Sequence, residues 1–322
     1  MTYLVTGAAG FIGYYTCRAL LERGETVIGL DNLNNYYSPP LKRARVNQLK
    51  PYEEFTFFEA DLTHLEALDN IFRQKQIDKV CHLAAQAGVR HSIDNPFIYQ
   101  KYNIEGFLNI LEMIRRYEIK NLVYASSSSV YGNNAKVPFS IKDRVDQPVS
   151  LYAATKRANE LLAYTYHHLY GLKCTGLRFF TVYGPWGRPD MAYFKFTRAI
   201  LRNEEIEIFN FGNMRRDFTY IDDIIEGVLA ALDRNYSFEI FNLGGSEPIA
   251  LRRLIGYIEK NTGIKARMKY LPMQPGDVKE TWADISYSEH KLNYHPKVDI
   301  EEGIRRFVQW FQSTGYALLE GD

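Results

Sequence analysis

The chain has little cysteine. Cys17, Cys81 and Cys174 are its three thiols in 322 residues. They are scattered through segments that read as core elements, so they are expected to be reduced and buried, as in a cytoplasmic protein. The seven histidines supply no metal-site spacing. His167 and His168 are adjacent, and neighbouring positions do not share a helix face; no metal is expected. No apolar run approaches the ~18 residues of a membrane span. The chain opens directly on an apolar, strand-like run with no room before it for a signal peptide, which again predicts a cytoplasmic location. Net charge is missing as well: 39 Lys and Arg balance 38 Asp and Glu, leaving +1. Such a chain has no global field to attract nucleic acid or a membrane, and an acidic ligand must be held by local arginines. No internal repeat or low-complexity linker occurs. Apolar residues make up 46% and charged residues 24%, as in soluble globular proteins with a large core, here in one large domain or two.

The organising stretch is Thr6-Gly7-Ala8-Ala9-Gly10-Phe11-Ile12-Gly13. It follows the apolar run Tyr3-Leu4-Val5, read as a strand, and opens an apolar-periodic segment to Arg23, read as a helix ended by Gly24. Strand, glycine turn and helix form a dinucleotide-binding signature. Gly7 permits the tight turn, Gly10 lets backbone approach a pyrophosphate, and Gly13 lets the helix pack on the strand. The helix start offers free N–H groups and partial positive charge. The spacing, Gly-x-x-Gly-x-x-Gly, differs from the commonest fingerprint. A second apolar run, Thr26 to Leu30, ends at Asp31-Asn32, where an acidic residue receives the adenosine ribose hydroxyls. A carboxylate there repels a 2′-phosphate, which favours NAD over NADP. The competing reading of Asp31 is that it merely ends a strand.

Strand and helix signals then alternate. A polar, Pro-rich loop, Asn32 to Pro40, leads to a basic helix over Leu41 to Leu49, whose Lys42, Arg43 and Arg45 read as a solvated face. Phe55 to Glu59 reads as strand three, followed by Asp61-Leu62, with Asp61 placed to meet an adenine amino group. Thr63 to Glu66 reads as a capping box. Lys79 to Leu83 is strand four; the small residues Ala84-Ala85 after it allow a ligand close to the backbone, and Gln86 and Arg90 follow, Arg90 being either an anion ligand or a surface charge. Pro96 to Tyr117 reads as one long helix carrying Asn103, and Asn121 to Ala125 as strand five, running into Ser126, Ser127, Ser128 and Ser129. This alternation predicts an α/β fold, a doubly wound parallel sheet whose ligands bind beyond the carboxyl ends of the strands.

Tyr152 and Lys156 open a further helix, reaching Tyr170, and at i and i+4 they share a face. A phenol has a reference pKa of about 10, and bringing it to ~7 takes roughly 4 kcal/mol. One cation at ~4 Å in an effective dielectric of ~20 supplies about that much. Lys156 is therefore expected to activate Tyr152. The pattern alone is not specific, because Tyr287 and Lys291 repeat it. Tyr287 lacks a preceding serine-ended strand and reads as structural.

Together the glycine turn, Asp31, Leu83-Ala84-Ala85, Asn103, the serine run before Val130-Tyr131-Gly132, and Tyr152 with Lys156 resemble the extended short-chain dehydrogenase/reductases, from Met1 to about Gln312. The resemblance implies a Rossmann sheet with a smaller, mixed α/β lobe for a nucleotide sugar: residues 1–178 plus 217–244 for NAD, 179–216 plus 245–322 for substrate. It implies NAD contacts from Gly7, Gly10, Phe11, Ile12, Gly13, Asp31, Asn32, Asp61, Leu62, Leu83, Ala84, Ala85, Asn103, Ser126, Tyr152, Lys156 and Phe179. Tyr152 becomes the base and acid, Lys156 lowers its pKa and holds the nicotinamide ribose, and Ser127 bonds the reacting oxygen. Helices Pro96–Tyr117 and Tyr152–Tyr170 would pair across a homodimer.

The Gly184 to Met191 and Pro272 to Val278 stretches, with Ala85 to Arg90 and Ala125 to Gly132, are similar to the UDP-glucuronate 4-epimerase subfamily. In this reading Arg188 and Arg216 pair with a diphosphate, Phe209 flanks uracil, and Gln86, Arg90 and Asp277 also contact the UDP-sugar. Dehydratases and decarboxylases of the family carry a carboxylate in the serine run; Ser128 and Ser129 stand there instead, as an epimerase permits. Gln274 and Thr181 depart from UDP-galactose 4-epimerases, and Ser128, Ser129 and Thr181 are expected to hydrogen-bond a C6 carboxylate. UDP-glucose 4-epimerase, UDP-glucuronate decarboxylase and a non-catalytic NAD-binding sensor remain the rival readings.

Overall fold

The computed structural model describes residues 1–274 and 276–319; Pro275, within one of the subfamily stretches, lies outside them, as do residues 320–322. Twelve strands are described: β1 Thr2–Thr6, β2 Thr26–Asp31, β3 Phe55–Glu59, β4 Lys79–His82, β5 Asn121–Ser127, β6 Lys173–Phe179, β7 Thr181–Tyr183, β8 Glu205–Ile208, β9 Arg215–Tyr220, β10 Phe238–Leu243, β11 Pro248–Ala250 and β12 Arg267–Tyr270. Seven form one parallel sheet in the order β10-β6-β5-β4-β1-β2-β3. The order reverses between β1 and β4, which opens a crevice at the carboxyl ends of those strands.

Alternation along the strands divides the core. Tyr3 and Val5 of β1 and Val123 of β5 enter one apolar cluster with helices Phe11–Glu22 and Ile221–Arg234. Leu4, Leu122 and Tyr124 point the other way, into a cluster with helices Leu65–Gln74, Gly106–Arg116 and Leu151–Tyr170. Strands buried on both faces need unbroken apolar runs, as these have. The smaller lobe holds a three-stranded sheet, β11-β9-β7, and a parallel pair, β12 with β8. All of β9 pairs with β7 and β11, and residue 217 lies within it.

Three local expectations are corrected. The stretch expected as one helix from Pro96 to Tyr117 is α-helical at Pro96–Tyr99, widens to a π-helix over Gln100–Glu105, and is α-helical again at Gly106–Arg116. The wide turn carries Asn103, and such bulges often mark functional sites. Thr63 to Glu66 is no capping box: the N-cap is His64, and the Thr63 hydroxyl donates to Asp61 Oδ1 at 2.7 Å instead. The basic helix, Pro39–Leu49, does not present Lys42 and Arg45 to solvent; both are buried. Arg45 Nη1 donates to the Ala9 carbonyl at 2.9 Å and the Tyr37 hydroxyl at 2.8 Å, and Nη2 to the carbonyls of Trp186 at 2.6 Å and Gly187 at 2.9 Å. This one side chain ties the glycine turn to the Trp186-Gly187 loop. The three cysteines are buried and unpaired, and Tyr287 is structural, its hydroxyl on the Glu239 carboxylate.

Candidate active site

A cleft of about 1090 Å³ runs along the sheet's carboxyl edge between the lobes. Its first half is built on the glycine turn. Gly7 has φ 73°, and a Cβ on Gly13 would come within 1.9 Å of the Gly7 carbonyl oxygen. No side chain caps the helix that begins at Phe11, so its first N–H groups are left for a ligand. Gly7, Gly10, Phe11, Ile12, Gly13, Leu83, Ala85, Ser126 and Phe179 line this half. Ala84 lies behind it, its N–H donating to Thr6 Oγ1 at 3.2 Å. At the end of β2, Asp31 accepts the N–H groups of Ala9 at 3.2 Å and Leu33 at 2.9 Å. Burial raises its pKa, against the pull of those bonds and of Lys42 and Arg45. Asn32 Nδ2 donates to Asp61 Oδ2 at 3.0 Å, joining the ends of β2 and β3; Leu62 is buried beside them. The uncapped N-terminus, the crowded glycines and a carboxylate beyond β2 fit an adenine dinucleotide.

Asn103 is deeper. Its Oδ1 accepts the Gln86 N–H at 2.8 Å, and its Nδ2 donates to the Gln86 carbonyl and to Thr155 Oγ1, both at 3.0 Å. It clamps the strand-four loop to the catalytic helix.

Tyr152 and Lys156 lie in the first two turns of Leu151–Tyr170, a helix capped by the Ser150 side chain accepting from the Ala153 N–H. Both line the cleft with Ser127, Ser128 and Ser129 from the end of β5. Ser127 acts to lower the Tyr152 pKa, and its hydroxyl accepts the Ser129 hydroxyl at 2.9 Å, so Ser129 is used inside the run. Lys156 reaches from the helix to the end of β5. Its Nζ donates to the Ala125 carbonyl at 2.8 Å, and burial lowers its pKa to about 7. Tyr152 is itself raised by burial; the charge that pulls it down is Arg188, assisted by Ser127, with Asp190 opposing. Burial penalises both charged forms, a cost the sequence arithmetic omitted.

The second half of the cleft is lined by Gln86, Arg90, Thr181, Arg188, Phe209, Arg216 and Asp277. Arg90 Nη2 meets Asp277 Oδ2 at 2.6 Å, with its guanidinium 4.8 Å from the Phe209 ring centre. Arg216 belongs to this group, its charge felt by Asp277 and Arg90 and its pKa lowered by burial. Arg188 does not join it. Asp190 holds Arg188 in a two-point fork, Nε–Oδ1 3.1 Å and Nη2–Oδ2 2.5 Å, near Tyr36, Tyr99 and Tyr152. Each arginine thus has a carboxylate neighbour of its own, Asp190 for Arg188 and Asp277 for Arg216.

Sequence reasoning missed Tyr36, Arg45, Tyr99 and Asp190. Asp190, two residues after Arg188, was visible as a short-range ion pair. Tyr36 and Arg45 had no local marker, because their partners are distant in the chain.

Residues 3–244 match the NAD dependent epimerase/dehydratase family. The chain belongs to that family. Its resemblance to individual epimerases covers nearly its full length. It is 49% identical over 309 residues, 96% of this chain and 95% of the other, to the UDP-glucuronate 4-epimerase of Thermodesulfobacterium geofontis. The structure of a UDP-glucuronic acid 4-epimerase from Bacillus cereus, in complex with UDP-glucuronic acid and NAD, superimposes with a TM-score of 0.91 at 37% identity, covering 97% of this chain and 99% of that one. A UDP-glucose 4-epimerase from Thermotoga maritima, solved with UDP-glucose, gives 0.89 at 33% identity, covering 98% and 99%. The family's doubly wound sheet is the one described above.

Proposed function

We propose that this protein is a UDP-glucuronate 4-epimerase, interconverting UDP-glucuronate and UDP-galacturonate through a transient 4-keto sugar. The observation that carries the reading is the reacting end of the cleft. Ser127, Tyr152 and Lys156 converge there, and the serine run beside them supplies hydroxyls where elimination or decarboxylation chemistry places a carboxylate. Tyr152 takes the proton from the sugar C4 hydroxyl while Ser127 holds the reacting oxygen. NAD held there would supply the acceptor and donor for the C4 hydride. The glycine turn and Asp31 hold the cofactor. Tyr152 returns its proton after the keto sugar has turned over, so no net oxidation occurs and no cofactor is consumed. Arg90, Arg216, Asp277 and Phe209 hold the nucleotide and diphosphate. Ser128 and Thr181 donate to the C6 carboxylate, keeping the β-keto acid from losing carbon dioxide. Arg188, which lines the same cleft as Ser127 and Tyr152, adds positive charge for an acidic sugar.

The working unit in this reading is a homodimer. Phe97 is 84% exposed, and Leu108, Leu161, Tyr164 and Leu169 also face outward from the 96–116 and 151–170 helices. An apolar patch of that kind suits a two-fold helical interface. No described helix is long and apolar enough to cross a membrane, and three buried, unpaired thiols suit a reducing cytoplasm.

The test uses purified protein and UDP-glucuronate with no added cofactor, followed by NMR. UDP-galacturonate approaching an equilibrium mixture supports the reading. UDP-xylose or a 4-keto pentose would make the protein a decarboxylase. No turnover of UDP-glucuronate even with added NAD would remove the epimerase reading.

A further inference from the structure

We propose that the buried pair Glu160–Arg178 is a positioning device for the reacting serine: it pins the serine run at both ends, through Ser126 and Tyr131, and so sets where the Ser127 hydroxyl stands in the cleft. The inference rests on the epimerase reading of Ser127 and Tyr152.

Tyr152, Lys156 and Glu160 follow one another at i+4 spacing on helix Leu151–Tyr170, along one face. Lys156 takes hold of β5 at the Ala125 carbonyl. One turn on, Glu160 takes hold of the next strand residue: the Ser126 hydroxyl donates to its Oε1 at 2.7 Å. The same Oε1 accepts Arg178 Nε at 2.8 Å, and Oε2 accepts Arg178 Nη2 and Arg157 Nη1, both at 2.9 Å. The carboxylate is then fully used. Arg178 stands beside Ser126 in the register of β5 and β6. Its remaining nitrogen, Nη1, donates to the Tyr131 hydroxyl at 3.0 Å. Tyr131 donates in turn to Asn242 Oδ1 at 2.6 Å, and Asn242 Nδ2 donates to the carbonyls of Phe139 at 2.8 Å and Asp284 at 3.0 Å. Ser126 immediately precedes Ser127, and Tyr131 closes the 3₁₀ turn Ser128–Tyr131. One ion pair therefore holds the entry and the exit of the segment that carries Ser127, Ser128 and Ser129.

The Glu160 and Arg178 side chains are 1% and 2% exposed. Burying two charges is costly, and apolar side chains of like volume would often fill the same space at no loss of stability. Apolar packing cannot supply direction. A two-point fork with hydroxyls on either side fixes the angle of each group it touches. Glu160 also keeps its charge: burial opposes it, but the bonds from Arg178, and then from Ser126 and Arg157, hold its pKa below the usual value for a glutamate. Glu160, Arg178 and Tyr131 do not line the cleft, whereas Ser126 to Ser129 do. The pair thus meets the reaction only through the serine run.

The experiment is steady-state turnover of UDP-glucuronate by the holoenzyme, with a double-mutant cycle on Ser127. The wild type must first form UDP-galacturonate; if it does not, the epimerase reading fails and this inference falls with it. With an active wild type, Glu160→Gln and Tyr131→Phe are each expected to lower kcat roughly tenfold or more. KM for UDP-glucuronate is expected to change less than about twofold, because neither side chain meets the ligand. In a Ser127→Ala background the same substitutions are expected to change kcat less than about twofold, since the hydroxyl they misplace is gone. A kcat within about twofold of wild type in folded Tyr131→Phe, or a loss that persists in full in the Ser127→Ala background, would overturn the proposal, because the pair would then serve stability alone. Glu160→Gln leaves Arg178 as a buried, unpaired charge; should it not fold, Tyr131→Phe, which removes a single hydroxyl, decides by itself.

Discussion

Lys156 Nζ and the carbonyl oxygen of Ala125 lie 2.8 Å apart, so the lysine of the catalytic helix is anchored to the strand that carries the serine run. That bond fixes helix to sheet at the reacting end. Burial lowers the ammonium pKa from 10.5 to about 7.

A pH dependence of stability follows. In cofactor-free protein the unfolded chain binds the Lys156 proton across the window from about pH 7 to 10.5 while the folded chain does not. Stability contributed by this group therefore rises with pH through that window, and its charging cost is fully present below it. Lys156→Met should flatten this rise and abolish epimerisation. Urea unfolding at the two ends of the window is the measurement, and equal slopes in wild type and variant would sink the assignment.

Ser128 and Thr181 offer neutral donors beside the base. Replacing either with Ala should raise KM for UDP-glucuronate roughly tenfold, the value of about one hydrogen bond to a charged group, and leave any turnover of UDP-glucose unchanged. The Ser128→Ala, Thr181→Ala double variant should also release decarboxylated sugar, seen by NMR. Unchanged affinity for the acid sugar would disprove the carboxylate assignment.

Arg45 holds both lobes without a carboxylate partner among its hydrogen bonds. Arg45→Met should cost about 3 kcal/mol, because it leaves buried carbonyls of the glycine turn and of the Trp186 loop unpaired. Retention of NAD through gel filtration should fall as well. Urea unfolding within half a kcal/mol of wild type, with full cofactor, would rule out the tie.

Phe97→Asp places a charge in the exposed apolar patch. If the patch is a homodimer interface, light scattering should show a dimeric wild type and a monomeric variant with an unchanged circular dichroism spectrum. A dimer that persists would place the interface elsewhere.

Much of the fold was legible because its signals are local. Each parallel strand announces itself as a short apolar run, each helix by its period, and the glycine turn by spacing; Gly7 and Gly13 sit where backbone crowding allows nothing larger. Tyr152, Lys156 and Ser127, short patterns at strand and helix ends, share the lining of one cleft. The π-helical winding at Asn103 was not legible, because a distant pair of backbone groups on Gln86 and the Thr155 hydroxyl draw that side chain in.

By itself, then, the sequence determined the parallel sheet and the glycine turn at its first strand, since each depends on residues within a few positions of one another. Tertiary structure alone decided what the side chains touch. It buried Arg45 and Lys42 in a helix that reads as solvated. It turned Lys156 to a backbone carbonyl and locked Arg188 onto Asp190, which the Tyr36 hydroxyl holds in turn. Burial changes the free energy of a charge by several kcal/mol, and burial is a property of packing between distant segments.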